Sequence, residues 1–201
     1  MSRRIFLDVG GNVGQSLEEA VKPCWRFDHL WSFEPMAEEA AVLAERFGGL
    51  ANVTVCPYGL LDRSGWVPVY GTNACIEASI WPQKTDVDAD VIHLCPMVEA
   101  SEFFRANIAA DDYVIMKLNC EGAEVLILDN LADSGELDKV GAAMIDPDIN
   151  RVPGEEQTLV DLLARFEAIG FDRYQMADRV MKGDTHQDRI AHWLSGLGVH
   201  L

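Results

Sequence analysis

The sequence predicts an α/β fold with a mostly parallel sheet and one inserted β-hairpin. Three observations carry that prediction. Short apolar runs alternate with amphipathic stretches along the chain, the order that builds a parallel sheet. A glycine-rich turn follows the first apolar run and opens the first amphipathic stretch. The chain has 201 residues, a length that suits one domain over 1–201 and needs no metal or disulfide to complete a core.

The elements follow in order. Residues 5–9 form an apolar run that reads as a buried strand, ended by glycines. Residues 15–22 read as a helix stopped by Pro23. Residues 30–33 give a second strand. Residues 36–47 give a helix with Met36, Ala40, Leu43 and Phe47 on one stripe, acids in its first turn, and Gly48 and Gly49 at its end. Residues 53–58 are a third strand. Residues 66–70 and 91–98 read as the inserted hairpin within an excursion over 66–98, with an irregular stretch over 71–90 between its strands. Residues 113–116 resume the parallel sheet, 121–131 give a helix, and 140–145 a fifth strand. Residues 155–169 form the clearest helix, with Leu159, Leu162, Leu163, Phe166 and Ile169 on one face. The last thirty residues are expected to hold two short strands.

Composition excludes several function classes. The hydrophobic fraction is 49% and the charged fraction 24%, so disorder and coiled coil are not the main architecture. The net charge of −17 opposes general nucleic-acid binding and chiefly promotes solubility. Cys24, Cys56, Cys75, Cys95 and Cys120 are odd in number, widely spread and free of a CxxC pair. That argues against a disulfide framework or zinc ribbon and for reduced thiols in a cytoplasmic protein. No apolar run approaches a membrane span, and Asp8 with its glycines follows Arg3 and Arg4 too soon for a signal-peptide core.

The most informative segment is Asp8, Val9, Gly10, Gly11, Asn12, Val13 and Gly14. It sits between a strand and a helix, where a nucleotide-type loop belongs. Asn12 stands where the dinucleotide fingerprint would have its second glycine. Charge separates two cofactor classes. A nicotinamide dinucleotide would bring an anionic pyrophosphate toward Asp8, whereas S-adenosylmethionine brings a sulfonium and an ammonium. The acidic strand tip suits the methyl donor. Glu34 ends the second strand, where a carboxylate can accept both ribose hydroxyls; otherwise it favours the positive end of the next helix. Pro35 stops that strand.

Three segments resemble the FkbM family of S-adenosylmethionine-dependent class I methyltransferases. Asp8 through Gly14 look like its first motif. Phe33, Glu34 and Pro35 look like its F-E-P. Lys117, Leu118, Asn119, Cys120, Glu121, Gly122, Ala123 and Glu124 look like its K-I-D-V-E-G-A-E. Residues 52–55, 58–62 and 98–104 are similar to further family segments, and the likeness runs from about Ile5 to Ile145, weaker on to Phe171. The resemblance implies a three-layer, Rossmann-like sheet of seven strands. It also implies methyl transfer to a hydroxyl of a small molecule, sugar or other natural product. By that resemblance the donor lies over Asp8 to Gly14, with its ribose on Glu34 and its adenine near Pro35, Tyr58 and Gly59. No metal is assigned.

The sequence departs from the family at Asn119, where the motif has Asp. Strand alternation would point Lys117, Asn119 and Glu121 one way, making Glu121 the remaining carboxylate base and Lys117 its electrostatic partner. The alternative is a structural Lys117–Glu121 pair with Asn119 capping the next helix. The first strand begins about four residues in, so the acceptor pocket is expected from residues 71–90, 119–121 and 146–151. Ser79 resembles a family serine, or is a plain turn serine. Asp146 and Asp148 read best as a solvated loop, with a divalent ion or sugar hydroxyls as alternatives. His186 and His192 read as surface or packing histidines. Three further readings stand beside hydroxyl methylation: an amine acceptor, a nicotinamide-dependent oxidoreductase with a degenerate loop, and a donor-binding protein with weak catalysis. The oligomeric state is open.

Overall fold

Strand β1 (Arg4–Val9) is buried on both faces, with Ile5, Leu7 and Val9 in one apolar cluster and Phe6 in another. That two-sided burial follows from its near-continuous apolar run. The computed structural model describes residues 2–71 and 78–198. The readings that fall on Cys75, and on the 72–77 part of the excursion, lie outside the described residues.

The main sheet also contains β2 (His29–Phe33), β3 (Val53–Cys56), β7 (Tyr113–Leu118), β8 (Val140–Ile145) and β9 (Tyr174–Met176). Its order is β3-β2-β1-β7-β8-β9, and every adjacent pair is parallel. A second sheet holds β4 (Gly59–Leu61), β5 (Gly65–Tyr70) and β6 (Ile92–Glu99) in the order β4-β6-β5. The expected hairpin is there as the antiparallel β5–β6 pair, and β4 adds a parallel strand to it.

Helices cover both faces of the main sheet. Helices α1 (Gln15–Ala20), α2 (Ala37–Phe47) and α7 (His186–Gly196) pack Leu17, Leu43, Phe47, Ile190, Trp193 and Leu194 around Phe6 and Leu30. Helices α3 (Ala100–Asn107), α4 (Glu124–Ser134) and α5 (Thr158–Ile169) pack Phe103, Phe104, Val125, Leu128 and Phe166 on the other side. The short helix α6 (Ala177–Val180) follows β9. Three layers result.

Three expectations need correction. The main sheet has six strands among the described residues, not seven. Among its described residues the tail supplies one strand rather than two, because Thr185 and Asp188 form a reciprocal capping box that starts α7. The helix expected from residue 121 begins at Glu124, because Glu121 and Gly122 hold left-handed φ values of 58° and 101°.

Candidate ligand site

The strand order reverses between β1 and β7, so the turns leaving these strands diverge and open a crevice at their carboxyl ends. An open cavity of about 940 Å³, mouth included, lies there. Val9 to Asn12, Phe33 to Met36, and Lys117 with Asn119 to Glu121 contribute to its wall. The three segments quoted above therefore meet around one space.

The glycine turn is packed against its neighbours. A Cβ on Gly10, at φ +81°, would stand 1.8 Å from the Asn119 carbonyl oxygen, and one on Gly11 would stand 2.2 Å from Ser32 Oγ. Every amide of the turn is spent inside the protein. The Gly10 and Gly11 N–H groups donate to the Phe33 carbonyl at 3.1 and 2.9 Å. Asn12 donates to Glu34 Oε2 at 2.8 Å, Val13 to Asn12 Oδ1 at 2.7 Å, and Gly14 to the Gly11 carbonyl at 2.8 Å. A phosphate-binding loop leaves such groups for its ligand.

Glu34 is 6% exposed, and its other oxygen accepts from the Met36 amide at 2.9 Å. These two bonds fix the carboxylate at the cavity wall. Burial pushes its pKa up to about 7 against the pull of both amides. One helical turn on, Glu39 also lines the cavity, and its buried Oε2 takes no hydrogen bond from the described residues.

The segment from Lys117 to Glu124 divides into scaffold and wall. Lys117 Nζ donates to the Gly10 carbonyl at 2.7 Å and lies 3.1 Å from Asp8 Oδ1. The Glu124 carboxylate is fully buried and accepts from the Cys120 amide at 2.7 Å and the Gly122 amide at 3.0 Å. Burial raises its pKa to about 7. Between these anchors, Glu121 faces the cavity on a left-handed turn. Such strain in a non-glycine residue persists only where its surroundings enforce it. Ser79 Oγ donates to the Glu121 carbonyl at 2.5 Å, and Trp81 Nε1 donates to the Gly122 carbonyl at 2.9 Å. The excursion thus clamps the turn, and Ser79 is more than a turn serine.

The expected Lys117–Glu121 pair does not form. Strand β7 ends at Leu118, so alternation does not extend to Glu121. The partner of Glu121 is Lys84, at 2.6 Å, whose side chain is fully buried. Burial raises the Glu121 pKa and Lys84 lowers it, with burial the larger effect. Asn119 does not cap α4, whose cap position is Ala123. Its amide instead donates to Asp146 Oδ2 at 3.3 Å. Asp146 is half-buried and Asp148 pairs with Arg151, so this loop is less solvated than expected. Among the described residues no group of three or more His, Cys, Asp or Glu is arranged to hold a metal ion.

Of the expected donor-binding residues, Gly10, Gly11, Asn12, Glu34, Pro35 and Gly59 line the cavity. Asp8, Val13, Gly14 and Tyr58 do not. Asp8 is fully buried behind Lys117 and accepts from Ser32 Oγ at 3.2 Å, so it does not present a bare charge to a ligand. Tyr58 packs its ring against Phe33 at 5.9 Å. Lys117, Asn119 and Glu121 all line the cavity. Sequence reasoning missed Ser16, Glu39, Met97 and His186, which line it too. His186 is half-buried, with Nε2 2.9 Å from Ser16 Oγ.

The fold and the cavity together define an open α/β protein with a cavity at the reversal of strand order. No protein-family model matches the chain, and no curated protein matches it. Among solved structures it is similar to the methyltransferase FkbM from Methylobacillus flagellatus KT, at 16% identity and a TM-score of 0.48. The similarity covers 81% of this chain and 37% of that one, so the chain spans well under half of that protein.

Proposed function

We propose that the cavity binds S-adenosylmethionine and that the protein moves its methyl group to a hydroxyl of a small molecule or carbohydrate. One observation carries the donor class. All five turn amides from Gly10 to Gly14 are consumed internally, and Lys117 is spent on Asp8 and Gly10. Nothing in the turn is left for a pyrophosphate, while Glu34 and Glu39 give the wall an acidic character that suits a cation. This replaces the charge argument from Asp8 and weighs against a nicotinamide cofactor. The resemblance of the three converging segments to the FkbM family points the same way.

The residues present fit the donor. The uncommitted Glu39 Oε2 offers an acceptor, Glu34 offers a fixed carboxylate for ribose hydroxyls, and Pro35, Met36, Gly59 and Met97 offer an apolar slot for adenine. The donor supplies a methyl group already activated by its sulfonium. The protein then has to align two reactants, an effect of ~7–11 kcal/mol. A proton acceptor contributes a further ~10²–10⁴-fold. Glu121, expected from the sequence as that acceptor, lies at the cavity wall with its carboxylate paired to Lys84. We place the protein in the cytoplasm, and no helix among the described residues is long and apolar enough to cross a membrane.

Incubation with methyl-labelled donor and fractionated cell metabolites tests the reading. Label entering a hydroxyl-bearing fraction is expected, and label on an amine would move the acceptor class. A second reading rests on Asn119, whose amide is engaged by Asp146 where the family has a carboxylate. It is donor binding without transfer, and it predicts saturable binding with no labelled fraction.

A further inference from the structure

We propose that His186 takes the proton from the acceptor. The inference rests on the methyl-transfer reading and names a residue outside all three family-like segments. His186 opens α7 and reaches the cavity wall beside Ser16 and Lys117, 170 positions from Ser16 in the chain. Its placement is built rather than incidental. The Thr185–Asp188 capping box fixes the helix start, and Ile190, Trp193 and Leu194 bury the helix against Leu17 and Phe6. Gln187 Nε2 donates to Glu18 Oε2 on α1 at 3.1 Å.

The chemistry follows from the two ring nitrogens. Nε2 meets the buried Ser16 hydroxyl, so an Nε2–H tautomer donating to Ser16 leaves the Nδ1 lone pair for a substrate. The charged groups acting on the ring are Lys117 on β7, Asp8 on β1 and Arg189 on α7. On α1, Glu18 is held by Arg46 and Gln187. Burial and Lys117 keep the imidazole below its ordinary pKa, hence neutral at pH 7. Glu121, by contrast, has one carboxylate oxygen held by the Lys84 ammonium. In the step, the acceptor oxygen bonds to the methyl carbon as the carbon–sulfur bond breaks. Sulfur keeps that electron pair as a neutral thioether, and the acceptor proton passes to Nδ1, giving an imidazolium that later releases it to water.

Two readouts test this. ¹⁵N NMR of the histidine rings in the intact free protein is expected to show His186 as the Nε2–H tautomer with a pKa below 6.5; an Nδ1–H tautomer overturns the proposal. In the methyl-transfer assay, His186→Gln is expected to lower turnover by ~10²-fold or more with S-adenosylmethionine affinity within twofold of the parent. Loss of affinity for S-adenosylmethionine but not for 5′-methylthioadenosine would assign His186 to the donor's amino-acid end and overturn it. Unchanged turnover overturns it as well. Ser16→Ala, which keeps the helix, is expected to cut turnover several-fold by freeing the tautomer. Failure of the parent protein to bind S-adenosylmethionine would remove the proposed function itself, a separate result from any of these.

Discussion

Lys117 Nζ lies 3.1 Å from Asp8 Oδ1, with the two side chains 4% and 0% exposed. The ion pair joins the tips of β1 and β7 across the reversal of strand order, and the same ammonium holds the Gly10 carbonyl. Removing one partner strands a charge in the interior. Lys117→Met is expected to cost about 3–5 kcal/mol, and Asp8→Asn added to it is expected to recover more than half. Urea denaturation of the two variants measures both. A single-variant loss under about 1 kcal/mol would contradict the pairing.

The turn at Gly10 tolerates no side chain. Gly10→Ala places a methyl against the Asn119 carbonyl, whereas Gly135→Ala shares a positive φ, +76°, with nothing within 4 Å. Gly135→Ala is expected to cost about 1 kcal/mol from backbone strain alone, and Gly10→Ala at least about 2 kcal/mol more. Equal losses would show that the close approach is absent.

Glu34 couples pH to stability and to ligand uptake. Its folded pKa of about 7 exceeds its ordinary 4.5, so the folded protein holds a proton that the unfolded chain releases. Its stabilising contribution is fully present below pH 4.5 and is lost as pH rises through 7, by roughly 3 kcal/mol. Glu124, Glu121 and Asp146 shift in the same direction, so the slope should fall in Glu34→Gln rather than vanish. Ribose hydroxyls need the ionised carboxylate, so donor affinity is expected to rise about tenfold from pH 6 to pH 8. Calorimetry at the two pH values checks this, and a flat profile would separate Glu34 from the ribose.

Lys84 holds Glu121 toward its ionised form. Lys84→Met is expected to move the Glu121 titration upward, read by carboxyl ¹³C NMR, and to cost about 3–5 kcal/mol as a broken buried pair. If Glu121 is the proton acceptor instead of His186, Glu121→Gln will cut turnover while donor binding stays intact. An unmoved Glu121 titration in the Lys84 variant would show that the pair does not persist in solution.

Local signals are legible in this sequence, and long-range ones are not. Gly10, Gly11, Asn12 and Glu34 were legible because a glycine turn after a strand and an acid at the next strand tip are short-range patterns. The main sheet was legible through its apolar runs. Lys84 was not, because it meets Glu121 across 37 positions from an irregular stretch without periodicity. His186 was not, because its position depends on how α7 packs. The grouping of Lys117 with Glu121 failed for a different reason. Alternation holds only within a strand, and β7 ends before Asn119. The tail carried a usable signal in Thr185 and Asp188, three residues apart ahead of Ile190, Trp193 and Leu194.

Isothermal titration of the purified protein with S-adenosylmethionine and, separately, with NAD tests the central claim most directly. Saturable heat at one donor per chain with S-adenosylmethionine, and none with NAD, is the predicted result. Heat from NAD with none from S-adenosylmethionine would contradict it.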